Sequence, residues 1–495
     1  MKVLFIYPNL MLQTALPNHI AILSACLKQK GHIVKLFDTT FYRTEDKSTD
    51  ERRVERLQVK PFKFDDANIG LNNGDVYRDF LILLNDFKPD LIAITLIDDT
   101  LELALDMLSY QDMPSSQVHK APVIAGGVSA ILAPDKILSN KNIDYVCTGE
   151  GERTLVALCE YLSGRCHSIT QVLNLGYKRD GKIMYTEKDD VVDINKLPFE
   201  DYDIFDQKRL YRPMRGKMVR CIPLNLDRGC PYSCTFCCAP AIKKQLGARY
   251  FRMKTVERIE EEIKHHLKLR PDIEFLYFNS ESFLVRDLSF LQDFAEMYKQ
   301  FSIPFWCQAN IATITDEKIR IIKKMGCQTM SVGLESGDEN YRYNMMNKRF
   351  TDQQAIDAFK IIKKYDIPTT INNIIGLPDE TRKMIFNTIR LNRRLYQIYD
   401  KANPSGLVFQ PYKGTKLHDY CLVHGLITED TKTDTNTGNP TIKNTNINDR
   451  ELIGLLNTFN MYIKFPVYYY PFIKLAEKHD SILKLLRKRY WHVYG

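Results

Sequence analysis

The chain has 495 residues, of which 44% are hydrophobic and 26% are charged, and its formal net charge is +8. Those proportions are typical of folded globular proteins and argue against a disordered or fibrous chain. The positive charge is modest and is not gathered into one tract, so we expect no nucleic-acid partner. No apolar run approaches the ~20 residues that cross a bilayer, which predicts a cytoplasmic protein without a transmembrane segment.

The length predicts about three domains at about 150 residues each. Residues 1–165 alternate apolar strands with helices, including a helix over 100–111, and this predicts a doubly wound, Rossmann-like parallel sheet. Residues 166–220 do not continue this alternation of strands and helices and are interpreted as a linker with a small hairpin. Residues 221–426 hold about six strand and helix repeats, enough for a partial (βα)6 barrel. A polar connector and a mainly helical region are expected over 427–495. The predicted fold class is α/β.

Three cysteines follow the first strand of the predicted barrel in the segment RGCPYSCTFCCAP, at the spacing C-x3-C-x2-C. They are Cys230, Cys234 and Cys237. Thiolates are soft ligands that suit iron–sulfur clusters, and three of them hold three irons of a cubane while the fourth iron stays open. A closed zinc site is the alternative, but it needs four ligands, usually in two separated pairs, and the sequence offers no second pair. We interpret the adjacent Cys238 as a packing thiol.

This loop resembles that of the radical S-adenosylmethionine superfamily, whose pattern is C-x3-C-x-aromatic-C, with Phe236 as the aromatic residue. The resemblance implies a [4Fe–4S] cluster on the three cysteines. Its open iron would chelate S-adenosylmethionine, and one electron would cleave that cofactor to a 5′-deoxyadenosyl radical. An external donor such as flavodoxin or ferredoxin would supply the electron. The protein's part is then to position the cofactors.

Segments at later strand ends resemble S-adenosylmethionine-binding motifs of the same superfamily. In NSES, Ser280 and Glu281 stand where relatives often carry paired aspartates, in the segment that binds the methionine amino group. In GLESG, Glu335 would lie near the ribose or the methionine; a surface acid that caps the next helix is the alternative. In IIGLPDET, Gly376 would let the adenine approach the backbone. The later segment FQPYKGTKL resembles the closure of the sixth strand.

The first domain contains GG and GEGE segments that resemble those of cobalamin-binding domains fused to radical S-adenosylmethionine domains. Glycines at a strand end would let a planar ring approach the backbone, although a generic turn of a doubly wound sheet is the alternative. The D-x-H-x-x-G motif is absent, so the resemblance implies that the lower face of cobalt lacks a protein histidine. The residues expected to contact cobalamin are Leu96, Gly126, Gly127, Val128, Ser129 and Gly149.

The domain combination resembles cobalamin-dependent radical S-adenosylmethionine enzymes. It implies methylation of an unactivated carbon in a small-molecule or lipid substrate, with one S-adenosylmethionine supplying the radical and a second supplying the methyl group. Cyclisation or rearrangement without methyl transfer is the alternative within this architecture. A methylthiotransferase would need three further clustered cysteines in the first domain, and a non-enzymatic cobalamin or light sensor would leave the triplet without a role. The sequence identifies no catalytic acid or base.

The segment YIKFPVYYYPFIKLAEKHDSILKLLRKRYWHVYG interleaves aromatic and basic residues near the end of the sequence. We expect a helical cap whose aromatic rings pack on the barrel, because runs of Tyr and Phe are usually core. Peripheral contact with a membrane surface, or a grip on an acidic substrate, is the alternative.

Overall fold

The computed structural model describes residues 1–110 and 118–495. The chain folds into two compact units that are not continuous in sequence. The first comprises Met1–Ser48, Phe64–Tyr211 and Cys238–Arg252, and the second comprises Thr49–Lys63, Arg212–Cys237 and Met253–Gly495. The helix predicted over residues 100–111 is observed over Leu101–Ser109, and Gln111 lies outside the described residues. Within the described ranges, no helix is long and apolar enough to cross a membrane.

Strands of the first unit lie in one sheet and those of the second mainly in another. The bounds are β1 Lys2–Tyr7, β2 Ile33–Asp38, β3 Leu91–Thr95, β4 Val123–Gly126, β5 Tyr145–Cys147, β6 Leu175–Arg179, β7 Lys182–Tyr185, β8 Tyr211–Met214, β9 Lys217–Asn225, β10 Asp227–Arg228, β11 Arg252–Met253, β12 Phe275–Asn279, β13 Phe305–Ala309, β14 Cys327–Glu335, β15 Thr369–Ile375 and β16 Ala402–Val408.

Helices separate most of these strands, as the sequence predicts. Their bounds are α1 Asn18–Gln29, α2 Thr49–Glu55, α3 Val76–Phe87, α4 Leu101–Ser109, α5 Val128–Leu132, α6 Pro134–Leu138, α7 Gly151–Leu162, α8 Cys238–Leu246, α9 Val256–Leu269, α10 Leu288–Tyr298, α11 Asp316–Met325, α12 Glu339–Asn344, α13 Asp352–Tyr365, α14 Arg382–Ile398, α15 Lys416–Val423, α16 Asp449–Lys464, α17 Tyr470–Ala476 and α18 Asp480–Tyr494.

The sheet of the first unit has the order β2-β1-β3-β4-β5-β6-β7. Strands β1 to β5 pair in parallel, and β1 and β3 are continuous apolar runs because both faces of such a sheet are covered. The residues predicted to form a hairpin form β6 and β7, which add to the sheet edge in antiparallel pairing. The strand order turns back between β1 and β3, the switch point where sheets of this type bind ligands.

The main sheet of the second unit has the order β16-β15-β14-β13-β12-β9-β8. Strands β9, β12, β13, β14, β15 and β16 pair in parallel with one another in this order. These six parallel strands alternate with helices and form the predicted partial barrel. Their carboxyl ends therefore meet at one edge, where catalytic and cofactor-binding residues of barrel enzymes lie.

A short segment from the first third of the sequence belongs to the second unit. The buried Gln58 donates from Nε2 to the carbonyl of Gly406 at 2.6 Å, and its Oε1 accepts from the Ser405 hydroxyl at 3.2 Å. The carbonyl of Leu57 accepts from Asn460 Nδ2 at 2.8 Å. Because both ends of the glutamine amide are bonded, its burial against β16 leaves no polar atom unsatisfied.

The C-terminal region forms the predicted helical cap. Helix α16 packs on β16 and α14, and its core joins Leu455, Phe459, Tyr462 and Tyr490 in one hydrophobic cluster. The expectation that the aromatic residues are core is thus correct for these side chains. It is wrong for Tyr468 and Phe472, which are 72% and 57% exposed.

Candidate cofactor-binding sites

Cys230, Cys234 and Cys237 lie on the loop between β10 and α8, and all three are partly buried. Burial raises the pKa of the Cys230 thiol to about 12, and the nearby charges of Cys237 and Cys234 act in the same direction. The three sulfur atoms are therefore close enough to influence one another's ionisation. Binding to a metal deprotonates such thiols outright.

The arrangement of these sulfur atoms bears on which metal group they could hold. Within the described residues, the three cysteine sulfurs do not all lie within 4.8 Å of one another. A single tetrahedral zinc with Zn–S bonds of about 2.3 Å would hold its sulfurs about 3.8 Å apart. Thiolates bound to separate irons of a cubane lie farther apart, so three soft donors that are not gathered as closely as around one zinc ion are compatible with an iron–sulfur cluster.

Hydrogen bonds from the segment after α12 hold the cysteine loop in place. The backbone N–H of Thr235 donates to the carbonyl of Met346 at 3.1 Å, and its hydroxyl donates to the carbonyl of Met345 at 2.6 Å. Asn347 Nδ2 donates to the carbonyl of Ser233 at 2.9 Å. These bonds bracket the middle cysteine, so residues 345–347 position it. No feature of the sequence indicates this role.

Phe236, the aromatic residue of the motif, is partly buried against a hydrophobic cluster of the second unit. The cluster includes Tyr341, Met346 and Phe409. The ring therefore anchors the cysteine loop to the barrel. Its contact with S-adenosylmethionine stays a prediction.

A buried ion pair joins Glu335, at the end of β14, to Lys348, with 3.0 Å between Lys348 Nζ and Glu335 Oε1. Glu335 has a φ of +66°, which turns its side chain back over Gly333. A Cβ at Gly333 would lie 2.1 Å from Glu335 Oε1, so a side chain there would displace the pair. The sequence motif identifies Glu335 but not Lys348. Lys348 lies 13 residues after Glu335, and the two side chains meet only because of the path of the chain between them.

The charge of Lys348 acts on the cysteine loop. Although burial opposes its protonation, the carboxylate of Glu335 and the thiolates of Cys234 and Cys237 raise the pKa of Lys348 above its usual value. In return, Lys348 opposes the rise that burial imposes on the pKa of Cys234. A fixed cation beside the thiolates offsets part of the negative charge that a bound cluster would carry.

Ser280 lies in a buried polar network below the cysteine loop. Its hydroxyl donates to Asp227, and Arg286 Nη2 donates to Asp227 Oδ2 at 2.8 Å and to the carbonyl of Leu226 at 3.2 Å. Arg286 Nη1 also donates to the carbonyl of Phe283 at 3.1 Å. Burial raises the pKa of the Asp227 carboxyl although Arg286 beside it opposes the shift. The Ser280 hydroxyl is thus engaged with the protein, and its contact with a cofactor stays a prediction.

The two other strand-end residues have different surroundings. The side chain of Glu281 is exposed, and its charge is one of the groups that raise the pKa of Cys230. Gly376 has a φ of +73°, and a Cβ there would lie 2.4 Å from Cδ2 of Leu452. Backbone conformation and packing on α16 therefore account for this glycine, and the adenine contact stays a prediction.

Glu380 is a buried acid that sequence reasoning missed, although it lies within the fifth-strand motif. Its Oε2 accepts from the backbone N–H of Gly376 at 2.6 Å and of Leu377 at 3.2 Å. Burial raises its pKa to about 8, against the effect of these two bonds. Its Oε1 has no hydrogen-bond partner among the described residues. The side chain thus fixes the turn that follows β15.

Most of the predicted cobalamin contacts converge at the carboxyl ends of β3 and β4. The N–H of Leu96 donates to the carbonyl of Gly126 at 2.8 Å, and the N–H of Ser129 donates to the carbonyl of Leu96 at 3.3 Å. The Ser129 hydroxyl donates to Asp98 Oδ1 at 2.8 Å. Gly127 has a φ of +96°, and a Cβ there would lie 2.6 Å from the Leu96 oxygen. Gly127 is therefore required by the fold, and Val128 begins α5 directly after it.

Gly126 differs from the other predicted glycines. A Cβ at Gly126 would meet no atom within 4 Å, whereas a Cβ at Gly149 would lie 2.6 Å from the side-chain amide of Asn174. Space therefore remains open at the end of β4, and the buried Thr100 hydroxyl in the loop after β3 has no hydrogen-bond partner among the described residues. An open approach to the backbone and an unsatisfied hydroxyl fit a large planar cofactor at the carboxyl ends of β3 and β4.

His19 lies in the first turn of α1, at the same sheet edge. Its Nε2 is 3.1 Å from the hydroxyl of Thr95, the last residue of β3, and its ring is 6.1 Å from that of Tyr7 at the end of β1. The imidazole is exposed. The sequence-based expectation that cobalt lacks a histidine on its lower face stays a prediction.

Two family matches agree with this division of the chain. Residues 13–159 match the B12 binding domain, and residues 224–391 match the Radical SAM superfamily. The chain is an enzyme of the radical S-adenosylmethionine type whose B12 binding domain precedes its barrel in the sequence. Its cofactors are accordingly a [4Fe–4S] cluster, S-adenosylmethionine and cobalamin.

Among curated proteins, the chain is 27% identical to an uncharacterized methyltransferase of Pyrococcus horikoshii over 86% of this chain and 89% of that protein. It is 24% identical to the anaerobic magnesium-protoporphyrin IX monomethyl ester cyclase of Cereibacter sphaeroides over 79% of this chain and 59% of that protein. The similarity thus extends to relatives named for two different reactions.

Two solved structures share the fold. The cobalamin-dependent S-adenosylmethionine radical enzyme OxsB superposes with a TM-score of 0.69 at 17% identity, covering 100% of this chain and 71% of that chain. The radical S-adenosylmethionine methyltransferase TsrM from Kitasatospora setae superposes with a TM-score of 0.60 at 15% identity. The superposition covers 87% of this chain and 76% of that chain. At these identities the likeness concerns the fold alone.

The Asp227–Arg286 pair should be needed for the second unit to fold. We expect Arg286→Met to lower the free energy of unfolding by about 3–5 kcal/mol, because the Asp227 charge would remain buried without its partner. The double variant Asp227→Leu/Arg286→Met should recover part of that loss, since it buries no charge. Urea denaturation of the three proteins measures these differences. Equal stability of the single variant and the wild type would contradict the expectation.

Glu380 should make stability depend on pH. Its folded pKa of about 8 lies above the ordinary value near 4.5, so between these pH values the folded protein keeps a proton that the unfolded chain has released. The free energy of unfolding therefore falls as pH rises through this window. The variant Glu380→Gln has no carboxyl to titrate, so we expect its thermal midpoint to rise relative to that of the wild type as the pH increases from about 5 to about 9. The control variant Glu317→Gln changes an exposed acid, and its difference in thermal midpoint from wild type should not rise with pH in this way. If the difference in thermal midpoint between Glu380→Gln and wild type were the same at every pH, Glu380 would not be the cause of the pH dependence.

Gly126 offers a test of the cobalamin site. We expect Gly126→Leu to keep the wild-type thermal midpoint, because a Cβ there meets no protein atom within 4 Å, yet to lose cobalamin absorbance after reconstitution and desalting. Gly70→Leu is a matched control, since that glycine is in the same unit and also has no atom within 4 Å of its Cβ position. Retention of cobalamin by the Gly126 variant would place the cofactor elsewhere.

Proposed function

We propose that the protein transfers a methyl group from S-adenosylmethionine to an unactivated carbon of a small-molecule or lipid substrate. The observation that carries the proposal is the similarity to a relative named as a methyltransferase across 86% of this chain, which includes both domains. In this reaction the cluster would supply an electron to S-adenosylmethionine, and cobalamin would carry the methyl group.

The residues of the second unit support the radical half of this reaction. Cys230, Cys234 and Cys237 offer three thiolates, which leave one iron open for S-adenosylmethionine. Lys348, held by Glu335, places a positive charge beside Cys234 and so eases the uptake of an electron by the site. We further propose that the electron comes from an external donor such as flavodoxin or ferredoxin.

The exposed carboxylate of Glu281 supports a role in binding the methionine amino group. Glu281 follows the end of β12 at the barrel edge, and its charge reaches Cys230. An ammonium group bound to the open iron would therefore find an acid nearby, in line with the family motif.

Cyclisation or rearrangement is the second candidate, because the chain is also similar to a cyclase over 79% of its length. The two reactions differ in their products. Methyl transfer by this chemistry consumes two molecules of S-adenosylmethionine and gives 5′-deoxyadenosine and S-adenosylhomocysteine together. A cyclase gives 5′-deoxyadenosine without S-adenosylhomocysteine.

The deciding measurement uses the protein reconstituted without oxygen with iron, sulfide and hydroxocobalamin. It is incubated with reductant, methyl-deuterated S-adenosylmethionine and either a polar or a lipid extract. We expect both nucleoside products and a deuterated methyl group in one extract. If 5′-deoxyadenosine formed alone, methyl transfer would be rejected in favour of cyclisation or rearrangement.

Two variants separate the halves of the reaction. Changing Cys230, Cys234 and Cys237 together to alanine should abolish 5′-deoxyadenosine, because no ligand set for the cluster remains. Gly126→Leu should abolish S-adenosylhomocysteine while the cluster spectrum persists. If the triple alanine variant still bound a [4Fe–4S] cluster and cleaved S-adenosylmethionine, the assignment of these ligands would be wrong.

A further inference from the structure

The C-terminal helices present an exposed apolar face. Val467, Tyr468, Phe472 and Leu475 are 60%, 72%, 57% and 48% exposed, and we call these four residues the apolar face. Val467 and Tyr468 lie on the short 3-10 turn Val467–Tyr469 just before α17, and Phe472 and Leu475 lie on α17, three residues apart. Residues at this spacing share one side of a helix. Large apolar side chains grouped in this way on a surface mark an interaction site more often than scattered ones do.

A neighbouring side of α17 is fixed in the core. Ile473 and Ala476 are 0% and 2% exposed and belong to the hydrophobic cluster of the C-terminal region. The ring of Tyr469 stacks on Phe465 at 4.9 Å between centroids. The apolar face is therefore held on a rigid support, and its residues cannot turn inward without displacing this packing.

Basic side chains surround the apolar face in the sequence and on the next helix. Residues 464–495 contain seven Lys or Arg against two acids, and one of those acids, Glu477, is paired with Arg382. Five cations are exposed and have no carboxylate within ion-pairing distance in the described part of the chain: Lys474, Lys478, Lys484, Lys488 and Arg489.

The cations also lie close to apolar side chains. Lys478 follows Leu475 by three residues, about one helical turn. On α18, Lys488 and Arg489 follow the 68% exposed Leu485 by three and four residues. Helices α17 and α18 pack against each other. Uncompensated positive charge thus accompanies exposed apolar surface on both helices.

We propose that the apolar face docks on the surface of an anionic lipid bilayer, with the surrounding lysines and Arg489 at the headgroups. Apolar and aromatic side chains enter the boundary between headgroups and acyl chains, while Lys and Arg attract anionic lipids. Four of the five cations are lysine. Protein–protein interface cores are poor in lysine, and this favours a lipid surface over a protein partner.

The test is flotation of the full-length protein with phosphatidylcholine vesicles that contain or lack phosphatidylglycerol. We expect binding to the anionic vesicles only, with a loss at high salt because the electrostatic attraction is screened. Phe472→Ser/Leu475→Ser should weaken binding at least about tenfold. The control variant Leu269→Ser/Val423→Ser, which removes exposed apolar side chains from α9 and α15, should bind like wild type.

A double charge reversal tests the basic residues. It also keeps the proposal testable if the serine variant fails to fold. Lys484→Glu/Lys488→Glu should weaken binding more than about fivefold for each charge, whereas Lys268→Glu/Lys324→Glu, with the same change in net charge on α9 and α11, should not. Equal loss in both pairs, or no flotation with anionic vesicles, would overturn the proposal. So would a concentration-dependent dimer, without vesicles, that Phe472→Ser/Leu475→Ser abolishes, since the face would then bind a second copy.

Discussion

The candidate radical site depends on the buried charge pair between Asp227 and Arg286. Arg286 connects Asp227 and Leu226, just before the cysteine loop, with Ser280 and Phe283, just after β12. Burial acts against the charged state of both partners, so the desolvation penalty offsets much of the stability that their attraction provides. Its value lies in geometry, because it fixes two strand ends relative to each other at the barrel edge that carries the cysteine loop. The bonds from residues 345–347 then hold the middle of the loop.

Electrostatics at this edge is arranged around the thiols. Glu281 contributes negative charge near Cys230, whereas Lys348 contributes positive charge near Cys234. The Glu335–Lys348 pair exists because a glycine, Gly333, leaves room for it and because Glu335 adopts a left-handed backbone conformation. A non-glycine residue in that conformation carries strain, and such strain is typically found at functional sites. The surroundings of the three cysteines are thus as specific as their spacing.

Much of the architecture follows from the sequence, because strand and helix periodicity is strong in both α/β regions and the spacing of the three loop cysteines suits an iron–sulfur cluster far better than a closed zinc site. The sequence does not reveal long-range pairings. Gln58 is bonded to Gly406, 348 residues away, and Lys348 acts on Cys234, which is more than 100 residues earlier in the sequence. Ser280 and Gly376 were recognised by resemblance, yet their visible contacts are with Asp227 and Leu452. Motif positions identify the edge of the barrel more securely than they identify the atoms that meet a ligand.

The adjacent glycines of the first unit have separate reasons to be glycine. Position 127 is constrained by its own backbone and by the Leu96 oxygen, so any protein with this fold must respect it. Position 126 has no such constraint from protein atoms. A relative that kept the fold but no longer bound a ring there could change residue 126 freely and still retain Gly127. The identity of that single residue would then distinguish, among proteins of this architecture, those that preserve the cofactor from those that preserve only the scaffold.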